Sequence, residues 1–170
     1  MDKVNILNAV DIVNNRVRRF EGAKRYLATG DLSLGQIADD IVSVNYQDKP
    51  SRADLLVSKG NIIIARMHAT NKVLLITESN EDLIVSTGFL TLSPKDGFCN
   101  EYLLHYFRSP IFQLAKDKLC SGATQKAINN SAFSQLYVPK YHLNKQREIA
   151  SILNATDTLR QKRKESIKLL

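Results

Sequence analysis

The chain has 170 residues, of which 44% are hydrophobic and 24% charged, and its formal net charge is +7. These are ordinary values for a globular protein, which argues against a disordered, collagen-like or membrane-embedded chain. No apolar run approaches the roughly 18 residues that cross a bilayer, and the amino terminus lacks the apolar segment of a secretion signal. We therefore expect a cytoplasmic protein with no membrane partner.

Cysteine and histidine are sparse and scattered. Cys99 and Cys120 are the only cysteines, and His68, His105 and His142 are likewise scattered. No spacing matches that of a metal site. We expect reduced thiols and no metal.

The positive charge is unevenly distributed along the chain. Lys and Arg number 6 against 3 Asp and Glu in residues 1–28, 6 against 9 in 29–100, 5 against 2 in 101–140, and 7 against 3 in 141–170. More than half of the net excess therefore lies in the last segment. The net charge indicates a nucleic-acid partner. Because the charge is uneven, contacts must come from individual side chains at defined positions and not from a uniform positive electrostatic field.

The first third of the chain contains two ambiguous segments. Residues 4–13 are apolar with a period that fits either a strand or a helix. Residues 16–26 interleave arginine and lysine, including Lys24 and Arg25, with Phe20 and Tyr26. Such a mixture suits phosphate contact with stacking, or else a solvated basic loop whose aromatic rings point inward.

A β-hairpin is predicted in the middle of the chain. A short strand is expected at 41–46, and the β-branched run 62–65 predicts a buried strand whose hairpin partner is 73–77. The connection holds donors of several kinds that suit base edges, although an ordinary polar loop fits as well. These donors are Arg66, His68, Thr70, Asn71 and Lys72.

Helices are predicted to follow the strands. Residues 83–86 and 89–92 indicate a bent strand or a bulged pair. Asn100 is an expected helix cap, and Ser109 with Pro110 starts a second helix that would pack through Ile111, Phe112, Leu114, Ala115 and Leu119. Helices packed on a mixed, twisted sheet make an α+β domain.

A polar segment precedes the last predicted strand. Gly122 permits a left-handed turn, and amides and hydroxyls that can meet phosphates and bases follow it. They include Thr124, Gln125, Lys126, Asn129 and Asn130. Residues 136–138 predict a closing strand, so the first domain should span residues 1–140.

Residues 141–170 are predicted to form a long helical unit. From residue 143 onward they contain no proline or glycine, and Asn144 is the expected N-cap. A helix of about 27 residues spans roughly 40 Å, which suggests that it projects. Three of seven heptad core positions are polar, so pairing would be weak with a defined register, and docking on its own domain fits equally well. The stripe comprises Ile149, Ile152, Leu153, Thr156, Leu159, Ile167 and Leu170.

Catalytic motifs are absent from the sequence. There is no nucleophile elbow, phosphate-binding loop, dinucleotide turn or zinc-protease motif, and no amino-methylase motif. Ser86, Thr87 and His105 have no spacing that supports a triad over structural roles. We expect a chain that is not an enzyme.

Taken in order, six segments resemble the DNA specificity subunit of type I restriction and modification systems. They cover nearly the whole chain, and the Gly-Ala-Thr-Gln motif followed by a proline-ended strand and a Gln-x-x-Ile-Ala helix is the most specific part. The segments are KRYLATGDL, DKPSRADLLVSKGNIIIARM, IVSTGFLTLSPK, EYLLHYFRSPIF, GATQKAIN and VPKYHLNKQREIASILNATDTL.

The resemblance covers one target recognition domain and one conserved helix, whereas the family normally joins two such halves. It implies a homodimer with an antiparallel helix pair, a palindromic bipartite target in double-stranded DNA, and methyltransferase subunits that carry S-adenosylmethionine, with a restriction subunit as a further partner. No cofactor is expected on this chain. The implied DNA contacts are Gly122, Thr124, Gln125, Lys126, Arg52, Arg66, His68, Asn71 and Lys72, with Lys24 and Arg25 on phosphates. The implied dimer seam is Ile149, Ile152, Leu153, Thr156, Leu159 and Ile167.

Two other function classes fit the sequence. One is a non-catalytic, general nucleic-acid-binding or interaction module, such as an orphan half-subunit without a methyltransferase partner. The other is an enzyme of unrecognised type.

Overall fold

A computed structural model describes residues 2–168 and confirms the α+β class. The described strands are β1 (Asp2–Asn5), β2 (Val10–Val13), β3 (Ala23–Leu27), β4 (Leu32–Ser33), β5 (Gln36–Ile37), β6 (Ser43–Asn45), β7 (Ala53–Leu56), β8 (Ile62–Ala65), β9 (Val73–Leu75), β10 (Ile84–Ser86), β11 (Phe89–Pro94) and β12 (Tyr137–Lys140). The helices are α1 (Asn100–Arg108), α2 (Pro110–Lys118), α3 (Asn130–Phe133) and α4 (Leu143–Lys168).

Most strands belong to two four-stranded sheets rather than one. The central sheet has the order β2-β11-β8-β9 and is antiparallel throughout, and the outer sheet has the order β6-β3-β10-β7 with β3 and β10 parallel. Of the two predictions for 83–86 and 89–92, the bulged pair is wrong, because β10 and β11 lie in different sheets. The chain crosses between the sheets at Thr87 and Gly88.

The central sheet lies between two hydrophobic clusters. Ile62 and Ile64 of β8 pack in a cluster with the helices, whereas Ile63 and Ala65 pack in a cluster with residues of the outer sheet. Alternate residues of a strand point to opposite faces, so an unbroken apolar run suits a strand that is buried on both sides. This confirms the predicted buried strand at 62–65 and its hairpin with β9.

Helices α1 and α2 cover one face of the central sheet. The Ser109 hydroxyl accepts a hydrogen bond from the Phe112 amide and Pro110 takes the first turn, as predicted. The predicted cap at Asn100 is wrong by one residue, because Cys99 occupies the N-cap position and Asn100 is already helical.

The face that α2 buries also differs from the prediction. Ile111 and Leu114 are exposed, Ile111 to 72%, whereas Phe112, Gln113 and Lys116 are buried. Phe112 and Lys116 are four residues apart and therefore share one face of the helix. An apolar-only reading of the periodicity missed Lys116.

The first and last strands close the domain against each other. β1 pairs with β12 in an antiparallel ladder that runs from Asp2 with Lys140 to Asn5 with Tyr137. The ambiguous segment 4–13 resolves into β1, a 3-10 turn capped by the Asn5 side chain, and β2. Pro139 lies inside β12 and not after it, in a two-stranded sheet.

Helix α4 begins at Leu143, so Asn144 lies within it and the predicted cap is wrong. Its first turns pack on the domain through Gln146 and Ala150, both buried. Gln146 accepts from the Cys99 amide at 2.9 Å and donates to the carbonyls of Gly97 and Tyr141 at 2.9 and 2.8 Å. Residues from Thr158 onward are exposed as far as their side chains are described, and Leu170 lies outside the described residues.

Candidate nucleic-acid interface

The β8–β9 loop is held in place by its own polar side chains. Arg66 donates from Nε to the Phe89 carbonyl at 3.1 Å and from Nη1 to the Ile128 carbonyl at 3.3 Å. Lys72 donates to the Thr29 carbonyl at 2.6 Å, and Asn71 donates to the Arg108 carbonyl at 2.9 Å. The Thr70 hydroxyl donates to the His68 carbonyl at 3.1 Å. Four of the five predicted base-reading donors therefore make contacts within the fold, whereas the His68 side chain is exposed.

The segment that contains Gly-Ala-Thr-Gln lies against this loop. Met67 and Ala127 form an isolated antiparallel bridge, and the His68 amide donates to the Lys126 carbonyl at 2.9 Å. The Ile128 amide donates to the Arg66 carbonyl at the same distance. Two loops that are about 60 residues apart in sequence thus form one continuous surface.

We call residues 66–70 together with 121–127 the paired-loop surface. It presents mainly exposed side chains with hydrogen-bonding capacity. The Gln125 amide reaches Met67 Sδ at 3.5 Å, a weak contact that leaves the amide oxygen and a second N–H for other partners. The exposed residues of predicted contact are His68, Gly122, Thr124, Gln125 and Lys126.

Helix α2 supports the paired-loop surface from the side that faces the core. The fully buried Lys116 ammonium donates to the carbonyls of Met67 at 3.0 Å and Thr70 at 2.8 Å. The next residue, Asp117, accepts the Ala69 amide at 3.1 Å. Burial lowers the pKa of Lys116, although the neighbouring Asp117 carboxylate opposes that effect. Sequence reasoning missed both residues.

Arg52 and Arg66 flank the crossover between the two sheets. The Arg52 carbonyl accepts from the Thr87 amide, and the Gly88 carbonyl accepts from the Arg66 amide, each at 2.9 Å. Burial, and secondarily the nearby Arg16, lowers the pKa of Arg66. Arg52 is exposed, so it adds positive charge beside the paired-loop surface.

Lys24 and Arg25 are not part of this cluster. Arg25 forms an ion pair with Asp82 at 2.6 Å, and the hydrogen bond from the Arg25 guanidinium lowers the pKa of the Asp82 carboxyl. Arg25 also donates to the Ser79 carbonyl at 2.9 Å. The Lys24 ammonium lies 5.8 Å from the centre of the Phe20 ring. Both residues lie on the part of β3 that is remote from Thr29, which is the residue that contacts Lys72.

The predicted seam residues of α4 divide between two environments. Ile149 packs against the domain core, and Leu153 lines a cleft of about 720 Å³ between α4 and the turn at Leu34 and Gly35. Ile152, Leu159 and Ile167 are exposed, Leu159 to 69%. At 100° per residue these three lie within an arc of about 80°.

The orientation of α4 is fixed by polar contacts with α1. His105 Nε2 lies 2.7 Å from Asn154 Oδ1, and Arg108 Nη1 lies 3.7 Å from Asp157 Oδ2. Arg108 also donates to the Val73 carbonyl, next to the β8–β9 loop. Thr156 is half-buried and donates to the carbonyl of Ile152. Arg108 thus connects α4, through Asp157, with the Val73 carbonyl at the end of the β8–β9 loop.

Residues 2–168 contain no group of three or more histidine, cysteine, aspartate or glutamate side chains placed to hold a metal ion. Within the same range no helix combines the length and apolar character needed to cross a bilayer.

The fold, with two four-stranded sheets, a helical layer and a long terminal helix, is that of a domain joined to a helical extension. Residues 4–169 match the type I restriction modification DNA specificity domain family, and the chain belongs to that family. This confirms the resemblance found in the sequence.

Relatives extend the comparison. The type I restriction enzyme MjaIX specificity subunit of Methanocaldococcus jannaschii is 26% identical over 88 residues, which are 52% of this chain and 20% of that subunit. The HsdS subunit from Thermoanaerobacter tengcongensis has a similar fold, with a TM-score of 0.77 at 20% identity over 96% of this chain and 44% of that one. A structure described for complex assembly and conformational transition of the type I R-M system gives 0.77 at 21% identity, with the same coverage. The chain thus spans less than half the length of these relatives.

Proposed function

We propose that this chain is a non-catalytic DNA-recognition subunit of a type I restriction and modification system that acts in the cytoplasm. The paired-loop surface carries the proposal. It presents the amide of Gln125, which can pair with adenine, beside Lys126 and His68, on loops that are tied together by backbone hydrogen bonds. Exposed Arg52 supplies phosphate contact at its edge.

The internal contacts of Arg66, Asn71 and Lys72 refine the proposed DNA contacts. Their donors hold the β8–β9 loop, so we assign them mainly to shaping the surface. Base reading then falls to Gln125, Thr124 and His68, and phosphate contact to Arg52 and Lys126. Lys24 and Arg25 would meet only DNA that extends past the outer sheet.

We further propose that two copies pair through α4 in an antiparallel arrangement. The exposed arc of Ile152, Leu159 and Ile167 supports this, because three large apolar side chains on one face of a projecting helix gain free energy by burial. Residues 1–140 would then be the recognition domain and 141–170 the pairing and spacing helix. Two-fold symmetry would make the target palindromic and bipartite.

The partners follow from the family. Methyltransferase subunits would bind S-adenosylmethionine and catalyse methylation, and a restriction subunit would join them. This chain would recognise the DNA sequence. With recognition domains about 40 Å apart, the two half-sites would be separated by roughly a dozen base pairs at most.

The deciding experiment is to express the chain with its modification subunits and to map methylated positions across a genome. A palindromic bipartite motif is the expected result. Salt-sensitive binding without a methylated motif would favour a general nucleic-acid-binding module, and turnover by the isolated chain would indicate an enzyme. An asymmetric motif would show that this chain pairs with a different specificity chain.

A further inference from the structure

Lys116 is a buried cation. Every other lysine whose side chain the structure describes is at least partly exposed to solvent. A buried ammonium is strongly disfavoured unless each of its N–H groups has a partner. Here the carbonyl oxygens of Thr70 at 2.8 Å, Met67 at 3.0 Å and Ala65 at 3.5 Å surround it, and Asp117 Oδ1 also lies 3.5 Å from the ammonium nitrogen. An ammonium has three N–H donors, so these oxygens supply an acceptor for each of them.

The three carbonyl groups belong to one short segment of the chain. They run from the end of β8 through the β8–β9 connection, so the single ammonium fixes the path of the backbone at both sides of His68. Because the carbonyl groups point inward to Lys116, the opposite side of this backbone is left to face outward.

Ala69 shows why such fixing is needed. Its φ is +54°, a left-handed conformation that a residue with a Cβ adopts only at a cost. Its amide donates to Asp117 Oδ1 at 3.1 Å. Two successive residues of α2 therefore hold the same turn. Lys116 binds the carbonyl groups of the turn, and Asp117 binds the amide of Ala69.

We propose that Lys116 and Asp117 are specificity-determining positioning residues that set the conformation of the DNA-reading loop without touching DNA. This rests on the proposed function of the paired-loop surface. If the loop relaxes, His68 moves, and so does Lys126, whose carbonyl accepts the His68 amide. The surface would keep its charge and lose its shape.

The test compares Lys116→Met with the wild-type chain, each assembled with its modification subunits. Methionine fills similar volume and removes all three donors. One probe is a duplex with the methylated motif mapped for the wild type, and the other is the same duplex with one base pair changed in a half-site. We expect the affinity ratio between the two probes to fall at least about tenfold, whereas affinity for the changed duplex stays within about threefold.

A second pair of variants covers the case in which Lys116→Met does not fold. Asp117→Ala removes the acceptor of the Ala69 amide, whereas Asp117→Asn keeps an oxygen in its place. We expect Asp117→Ala to lower the affinity ratio and Asp117→Asn to restore it. Equal weakening on both duplexes by folded variants, with the ratio unchanged, would overturn the proposal. If the wild type itself shows no preference, the proposed function fails first.

Discussion

A Cβ built on Gly122 would lie 2.5 Å from the carbonyl oxygen of Gln125. The φ of Gly122 is +134°, which a residue with a side chain rarely adopts, so both the space and the backbone conformation require glycine. We predict that Gly122→Ala distorts residues 121–127 and destabilises the fold by about 1–3 kcal/mol. Sequence preference in DNA binding should fall more than overall affinity, as measured by titration with matched and mismatched duplexes.

Gly97→Ala is the matched control for this prediction. Gly97 also has a positive φ, of +86°, but no atom beyond its two chain neighbours lies within 4 Å of the position that a Cβ would occupy. Gly97→Ala should introduce a similar backbone strain but should not change base preference. Equal loss of preference in both variants would mean that general destabilisation, and not the shape of the paired-loop surface, is responsible.

Arg66 and Gln125 should give different phenotypes when each is replaced by alanine. Arg66→Ala leaves the Phe89 and Ile128 carbonyls without their donor, so we expect a loss of about 1.5–3 kcal/mol in unfolding free energy. Gln125→Ala should change stability by less than about 0.5 kcal/mol because its side chain is exposed, yet alter base preference. Urea denaturation and methylation mapping would measure the two effects. Unchanged methylation specificity in both variants would contradict the assigned surface.

The exposed arc of α4 makes a prediction about association. Leu159→Glu would place a charge in the proposed seam and should weaken self-association at least about tenfold. Sedimentation equilibrium measures it directly. Ser151→Glu, on the polar exposed side of the same helix, should leave association unchanged. A Leu159→Glu chain that stays dimeric with intact helical content would exclude this seam.

The hydrogen bonds of Gln146 should contribute to the stability with which α4 packs on the domain. Gln146→Glu keeps an acceptor for the Cys99 amide but removes the donors to Gly97 and Tyr141 and buries a carboxylate against their carbonyls. We expect a loss of about 3 kcal/mol in unfolding free energy, visible as a lower melting temperature. Gln135→Glu, at an exposed glutamine, is the control and should have little effect.

The buried Tyr102 hydroxyl should make the free energy of unfolding depend on pH in the alkaline range. It donates to the Pro139 carbonyl at 2.8 Å, and burial, with Tyr141 and Tyr106 nearby, raises its pKa above the ordinary 10.0. The folded chain thus keeps a proton that the unfolded chain loses. This contribution to stability is complete below pH 10.0 and declines as pH rises above it.

Tyr102→Phe tests that prediction. The variant should be about 1 kcal/mol less stable at neutral pH because the hydrogen bond is missing, and it should show a shallower fall in unfolding free energy above pH 10.0. Burial also raises the pKa of Tyr106, so part of the fall should remain. Denaturation curves on both sides of pH 10.0 give the two slopes, and identical slopes would refute the role of Tyr102.

Features with local signals were predictable from the sequence. The run Ile62–Ala65 gave a buried strand, Ser109 with Pro110 gave a helix start, and the absence of glycine and proline after residue 143 gave a long helix. Each depends on neighbours a few residues away, where propensity and capping operate.

Features that depend on distant partners were not predictable in this way. The roles of Arg66 and Lys116 are set by carbonyls 62 and up to 51 positions away, and nothing near either residue indicates them. The separation of β10 and β11 into two sheets likewise depends on which strands flank them.

The β1–β12 ladder has a consequence for how the chain folds. Asp2 pairs with Lys140, so β1 has no partner for this ladder until the chain has been translated through β12. The loop closure needed for this pairing is among the longest within residues 2–168, which favours slow folding and late completion of the domain. Until then the backbone N–H and C=O groups of β1 that form this ladder remain unpaired and open to chaperones or to other nascent chains.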